Sequence, residues 1–159
     1  GFCHERKLYS FLMDLSDFSP TEFQYKSANN HIIHELSLQA SNIFQRHLNW
    51  QRTPFALGNS GNRYFNEVIH AKTDKGHPIS YLVWGENSDH VYIVDTYTIN
   101  PDYDLKTIVE DVKRYLQIKT NKNKCLITNV PENDGLFESV LRTNAQILFK
   151  QIEMELTLR

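Results

Sequence analysis

The sequence predicts an α/β fold built on a mixed sheet, and three stretches carry that prediction. Arg63 to Ile99 reads as three strands in a row, separated by Asp74-Lys75-Gly76 and Glu86-Asn87-Ser88-Asp89, an antiparallel meander. Leu105, Ile108, Val109, Val112 and Leu116 then recur at helical spacing, so Leu105 to Leu116 is a helix with one apolar face. Lys124 to Val130 follows as a short apolar strand. A strand after a crossover helix pairs parallel to the strand before it, with a right-handed connection. The unit from His90 to Leu116 is therefore strand, tight loop and helix, an arrangement that aims backbone N–H groups where an anion can sit.

The remaining elements follow in order. Leu8 to Leu15 is apolar and strand-like without clean alternation, and Ser19-Pro20 ends it because proline lacks a donor and forces its neighbour extended. Glu22 to Ala28 is a short strand. Asn29-Asn30 offers an N-cap for a helix over His31 to Phe44. Its expected inward stripe is Ile32, Leu36, Ile43 and either Leu38 or Ala40, widened by Ile33. Arg46 to Arg52 is a second helical or irregular piece ended by Pro54. Gly58 to Asn62 has the composition of a flexible loop. Beyond the strand at Lys124, a short helix runs from Gly135 to about Thr143. Gln146 to Leu158 then alternates Ile152, Met154, Leu156 and Leu158 with polar residues, as a half-buried antiparallel strand does.

Composition narrows the function classes. The 159 residues suffice for one full core. With 17 basic and 19 acidic side chains there is no electrostatic case for nucleic-acid binding. No stretch is apolar for the roughly 18 residues of a membrane span, so no membrane role is expected and a cytoplasmic protein is the default. Cys3 and Cys125 stand without paired spacing, which argues against a disulfide framework and a structural zinc site. His31 and His34 lie within one helical turn but lack a third ligand, and read as a helix surface rather than a metal site.

The order strand, helix, meander, helix, strand, helix, strand resembles the GNAT (GCN5-related N-acetyltransferase) fold from Glu22 to Leu158. Ile99-Asn100-Pro101 is similar to the hydrophobic-x-Pro step that ends the family's fourth strand before its acetyl-CoA loop. Asn129 or Asn133 resembles the asparagine near the end of its fifth strand. Phe149 and Met154-Glu155-Leu156 resemble its closing motifs. Met13-Asp14-Leu15 weakly echoes Met154-Glu155-Leu156. The resemblance thus implies a tandem protein, with residues 1–19 as the tail of a preceding GNAT-like domain and 20–159 as a GNAT-like domain with a splayed C-terminal strand.

That resemblance implies a site. Asp95, mid-strand, would be the general base for an amine; the plainer reading is a carboxylate on a solvated face or hydrogen-bonded at a strand edge. The backbone of Tyr97, Thr98 and Ile99 would polarise the thioester carbonyl of acetyl-CoA. Lys106 and Thr107 would face its phosphates. Asn129 and Asn133 would orient the pantetheine amide or acyl carbonyl, or else cap turns. Trp50, Phe55 and the Gly58–Asn62 loop would line an acceptor pocket, or else be plain core.

One departure divides the functional reading. Family members that bind acetyl-CoA carry a glycine-rich loop with a basic residue, whereas Pro101, Asp102, Tyr103 and Asp104 lead straight into Leu105. Asp104 is placed as an N-cap that would occupy the amides a phosphate wants. The helix after Asn133 offers Phe137 and Ser139 where the family has a catalytic tyrosine. The first reading is an N-acetyltransferase moving acetyl from acetyl-CoA to a small-molecule or peptide amine. The second is a non-catalytic GNAT-fold domain that binds or dimerises in support of a catalytic partner domain, as a homodimer or within one polypeptide.

Overall fold

The computed structural model describes residues 2–156. Its elements are β1 (Phe2–Asp14), β2 (Phe23–Ser27), α1 (Asn30–Phe44), a 3-10 turn (Trp50–Arg52), α2 (Pro54–Gly58), β3 (Phe65–Ala71), β4 (Asp74–Glu86) and β5 (Val91–Thr98), followed by α3 (Leu105–Thr120), β6 (Lys124–Pro131), α4 (Gly135–Leu141) and β7 (Gln146–Leu156). They form one seven-stranded sheet in the order β2-β3-β4-β5-β6-β1-β7. The meander β3-β4-β5 is antiparallel, and β5 pairs parallel to β6 across α3, as the crossover rule requires.

Helices cover both faces. Tyr25 of β2 stacks on Tyr115 of α3 at 3.9 Å, whereas Tyr97 of β5 packs on Phe44 of α1 at 5.4 Å. Tracing the register from Tyr25 through Ile69 and Ser80 to Thr98 puts Tyr25 and Tyr97 on opposite faces. α3 and α4 therefore lie on one side, with Phe137 of α4 against Phe11, and α1 on the other. The five aliphatic residues expected on the inner face of α3 are all buried. Each contributes about 1.5–3 kcal/mol by leaving water. Asp111 of the same helix is buried too. It accepts from the amides of Glu22 and Phe23 and from the Tyr25 hydroxyl, tying the start of β2 to α3.

Several local expectations are corrected. α1 turns Ile33, Leu36, Ser37 and Ala40 inward, a strict i, i+3, i+4, i+7 set, and leaves Ile32, Leu38 and Ile43 exposed. Ser37 disguised that stripe, because a serine that bonds its own helix at His34 O is tolerated inside. The Asn29 cap stands, accepting from the Ile32 amide at 2.9 Å. Pro54 begins α2 rather than ending a helix; it sits in the first turn, with Thr53 Oγ1 accepting from Ala56 N. α3 runs four residues past Leu116, to Thr120.

The opening strand holds an unexpected place. β1 inserts between β6 and β7, antiparallel to both, and seals Phe11, Met13 and Leu15 into the core. Its step from Tyr9 to Phe11 faces Val130 to Ile127 on β6, so β6 carries an extra residue there. Asn129 takes a left-handed φ of 56° in that bulge, a conformation asparagine tolerates, and its amide donates to Ser10 Oγ. Among the described residues, no helix is long and apolar enough to cross a membrane.

Candidate functional site

Register explains why a crevice forms between β5 and β6. The two strands pair only at Val91–Ile93 with Cys125–Ile127, yet β5 continues to Thr98 and β6 to Pro131. Beyond Ile93 they diverge, leaving carbonyls without strand partners. Buried carbonyls must find donors. Here the donors come from Arg52, on the 3-10 turn after α1. Its Nε donates to Val94 O at 2.8 Å, its Nη1 to Asn129 O at 2.6 Å and its Nη2 to Thr128 O. The Arg52 guanidinium thus bridges the diverging strands and is 2% exposed. Burial pushes its pKa down to about 10, which leaves it charged at neutral pH.

A second arginine completes the filling. Arg46 donates to both oxygens of Asp95, at 2.9 and 3.0 Å, and to both oxygens of Asp134, at 2.9 and 3.3 Å. It also donates to Tyr81 Oη and lies 4.0 Å over the Tyr97 ring. Burial works against its charge, but Asp95, Tyr81 and Asp134 outweigh that and hold its pKa well above the ordinary value. Tyr81 donates to Asp95 at 2.6 Å, with its own pKa driven up by burial and then by that carboxylate. The side chains of Arg46, Asp95 and Asp134 are sealed from solvent. Asp134 sits at the N-cap position of α4 but bonds Arg46 instead of the helix amides, so the network ties α4 to β5.

Each expected site residue can now be placed. Asp95 lies at the centre of the network with no exposed atom, on neither a solvated face nor a strand edge. Tyr97 is 6% exposed, its hydroxyl pushed up to about 12 by burial and by Asp134. That hydroxyl closes over α4, since a Cβ on Gly135 would meet it at 2.2 Å. Thr98 Oγ1 is spent on the turn: it bonds Ile79 O and Asn100 O and accepts from Asn100 N. The Ile99 amide donates to Ile79 O at 2.9 Å, so it is not free to polarise a carbonyl. Lys106 is half-buried and Thr107 exposed at the start of α3. Asp104 occupies the N-cap position there but makes no side-chain cap bond, contrary to expectation. Asn129 gives its carbonyl to Arg52, and Asn133 is exposed on a shallow surface with Arg6, Lys7 and Glu132.

The structure thus joins Asp95, Tyr97 and Asn129 around two arginines that sequence reasoning passed over. A signal was present: an aspartate in the middle of an apolar strand needs a buried cation. Trp50 and Phe55 are 72% and 74% exposed, whereas Gly61 and Asn62 of the expected loop line a cavity of about 320 Å³ with Asn30, Tyr64, Asn66 and Glu67. His34 Nδ1 meets Pro54 O, and among the described residues no cluster of His, Cys, Asp and Glu could hold a metal.

The fold is that of the GNAT acetyltransferases. A functionally unknown conserved protein from Staphylococcus epidermidis ATCC 12228 superposes with a TM-score of 0.67, at 13% identity, over 97% of this chain and 62% of its own. A GCN5-related N-acetyltransferase from Kribbella flavida gives 0.58 at 10% identity, over 96% of this chain and 37% of its own. A tandem GNAT protein from the clavulanic acid biosynthesis pathway gives 0.51 at 10%, over 96% and 55%. This chain therefore spans roughly 37–62% of the length of these solved structures. At such identities the likeness shows the fold alone. No protein-family model and no curated protein sequence matches the chain.

The residues present do not fit acetyl-CoA. The crevice that would admit its pantetheine arm is filled by Arg52, Arg46 and Tyr97. The cavity beside it, lined by Gln51, Arg52, Tyr92 and Leu126 among others, measures about 270 Å³. That is at the small end of ordinary ligand pockets, roughly 300–1,000 Å³. The loop ahead of α3 carries Asp102 and Asp104 and no glycine, so two carboxylates would face a diphosphate at the helix start, with Lys106 as the cation beside them.

Proposed function

We propose that this chain is a non-catalytic GNAT-fold domain that acts through a partner, by packing or dimerisation in support of a catalytic domain. The observation that carries the reading is the Arg52 guanidinium, which occupies the β5–β6 crevice and takes up its three free carbonyls. Asp95, under this reading, is a structural counter-ion and not a base. A tandem chain, as in the tandem GNAT protein of the clavulanic acid pathway, is one way in which two domains of this fold are joined. Residues 1–19 as the tail of a preceding domain belong to the same proposal.

Acetyl transfer to an amine remains the second reading, favoured by one observation. The first turn of α3 is uncapped by Asp104, and Lys106 stands beside it. Calorimetric titration with acetyl-CoA decides between the two. The non-catalytic reading expects no saturable heat. Binding tighter than about 100 μM, near −5.5 kcal/mol, overturns it.

A further inference from the structure

The two edges of the sheet are treated in opposite ways. β2 is five residues long, carries Lys26, and has its first amides bound by Asp111. Short length and charge are how a sheet edge is normally blunted. β7 is eleven residues long, contains no proline, and is hydrogen-bonded on one side only, to β1. Its side chains do not protect it. Ile147, Leu148, Phe149, Ile152 and Met154 are 43–56% exposed. Phe149 lies opposite Ser10 while Ile152 lies opposite Lys7, so both faces of the strand carry bare apolar groups.

β1 adds a second anomaly. It pairs with β6 only from Leu8 to Asp14, whereas its pairing with β7 extends back to Phe2. The residues before Leu8, with Ile152–Leu156 of β7, thus leave the sheet as a two-stranded ribbon. Such a ribbon is marginal in water without a third strand or a covering layer.

We infer that β7 is a docking edge for a second copy of this chain, pairing antiparallel with its own counterpart across a two-fold axis. The occupant must supply a long free strand edge with apolar groups on both faces. Among the described residues β7 is the strand with those properties, so the surface complements itself, as an isologous contact requires. A two-fold axis at Gln151 sets Lys150 opposite Ile152 and Phe149 opposite Glu153, so no like charges are directly opposed; the two Lys150 lie diagonally across the axis, where their long side chains can turn to solvent. Glu153 is already engaged by Arg6.

The inference rests on the reading of the chain as a domain that works through a partner, and is tested apart from it. Sedimentation velocity of the 159-residue chain from 1 to 100 μM should show a dimer. Ile152→Lys and Phe149→Lys, both at exposed positions, should each weaken it at least tenfold while leaving the circular dichroism spectrum that of the folded wild type. Amide exchange along β7 should slow with concentration in the wild type and not in these variants. A wild-type monomer at 100 μM overturns the proposal, as does a dimer indifferent to both substitutions. β7 protected only inside a longer monomeric polypeptide also overturns it, in favour of a neighbouring domain as occupant. Acetyl-CoA titration of the same samples reports separately on the functional reading.

Discussion

Replacing Arg46 with Met tests whether the crevice is held shut by charge. The substitution removes a side chain that is sealed from solvent and donates to Asp95, Asp134 and Tyr81. Two buried carboxylates are then left facing each other, with Arg52 Nε 3.8 Å from Asp95 as the nearest remaining cation. Breaking a buried pair this way costs about 3–5 kcal/mol, a large share of the 5–15 kcal/mol that holds a domain folded. For a chain this size that is a fall in Tm of about 6–20 °C. Arg52→Met should cost less, about 2–3 kcal/mol, because it strands neutral carbonyls that water can partly satisfy. Urea melts at pH 7 followed by circular dichroism measure both. Asp134→Asn in the Arg46→Met background should recover part of the loss. A loss below 1 kcal/mol for Arg46→Met, or the reverse order of the two variants, refutes the account of the network.

Three further outcomes follow from individual residues. Gly135→Ala places a Cβ 2.2 Å from the Tyr97 hydroxyl, whose ring is fixed by Arg46 and Phe44. The clash should cost about 1–3 kcal/mol despite alanine's better helix propensity, and Tyr97→Phe in the same chain should remove most of it in urea melts. Burial raises the Glu67 pKa above its ordinary value, and one of its oxygens has no partner. The folded state thus holds that proton more tightly than the unfolded chain, and its penalty is present above the raised pKa and gone below the unfolded value. Glu67→Gln should therefore stabilise the protein at pH 7 and lose that advantage as pH falls through about 4.5, seen in melts across that range. Burial also pushes the Cys125 thiol up to about 12, so in Cys3→Ser protein it should resist alkylation at pH 8 until denaturant is added.

The elements that sequence pattern located were those whose burial repeats along the chain. α3 shows its apolar face at each turn, and the meander is punctuated by turn residues, so both were legible. α1 was legible as a helix but not in its orientation, because Ser37 sits within the buried stripe and Ile32 and Ile43 outside it. The position of β1 was not legible. An apolar run announces a strand, but nothing local in Leu8 to Leu15 says that its neighbours are β6 and β7, residues more than a hundred positions away. For the site, the resemblance makes Asp95 a mid-strand base, but its meaning depends on Arg46, 49 residues earlier in a stretch with no periodicity. Ion pairs of that kind leave no spacing signature, and the charge without its partner reads as a catalyst.

The same physics that opens the crevice explains why it is closed to a ligand. When parallel strands diverge, their carbonyls lose strand donors, and either a bound molecule or a side chain must replace them. In this chain Arg52 does so for Val94, Thr128 and Asn129. A ligand entering between β5 and β6 must expel that guanidinium and restore its bonds. Stranding those three carbonyls costs about 2–3 kcal/mol, the same loss expected of Arg52→Met. At 1.4 kcal/mol per tenfold, a cofactor that would bind an open crevice at about 1 μM is weakened to roughly 30–150 μM. Acetyl-CoA can use this crevice only if Arg52 leaves it, so acetyl-CoA binding by Arg52→Met protein but not by wild type would identify the arginine as the lock.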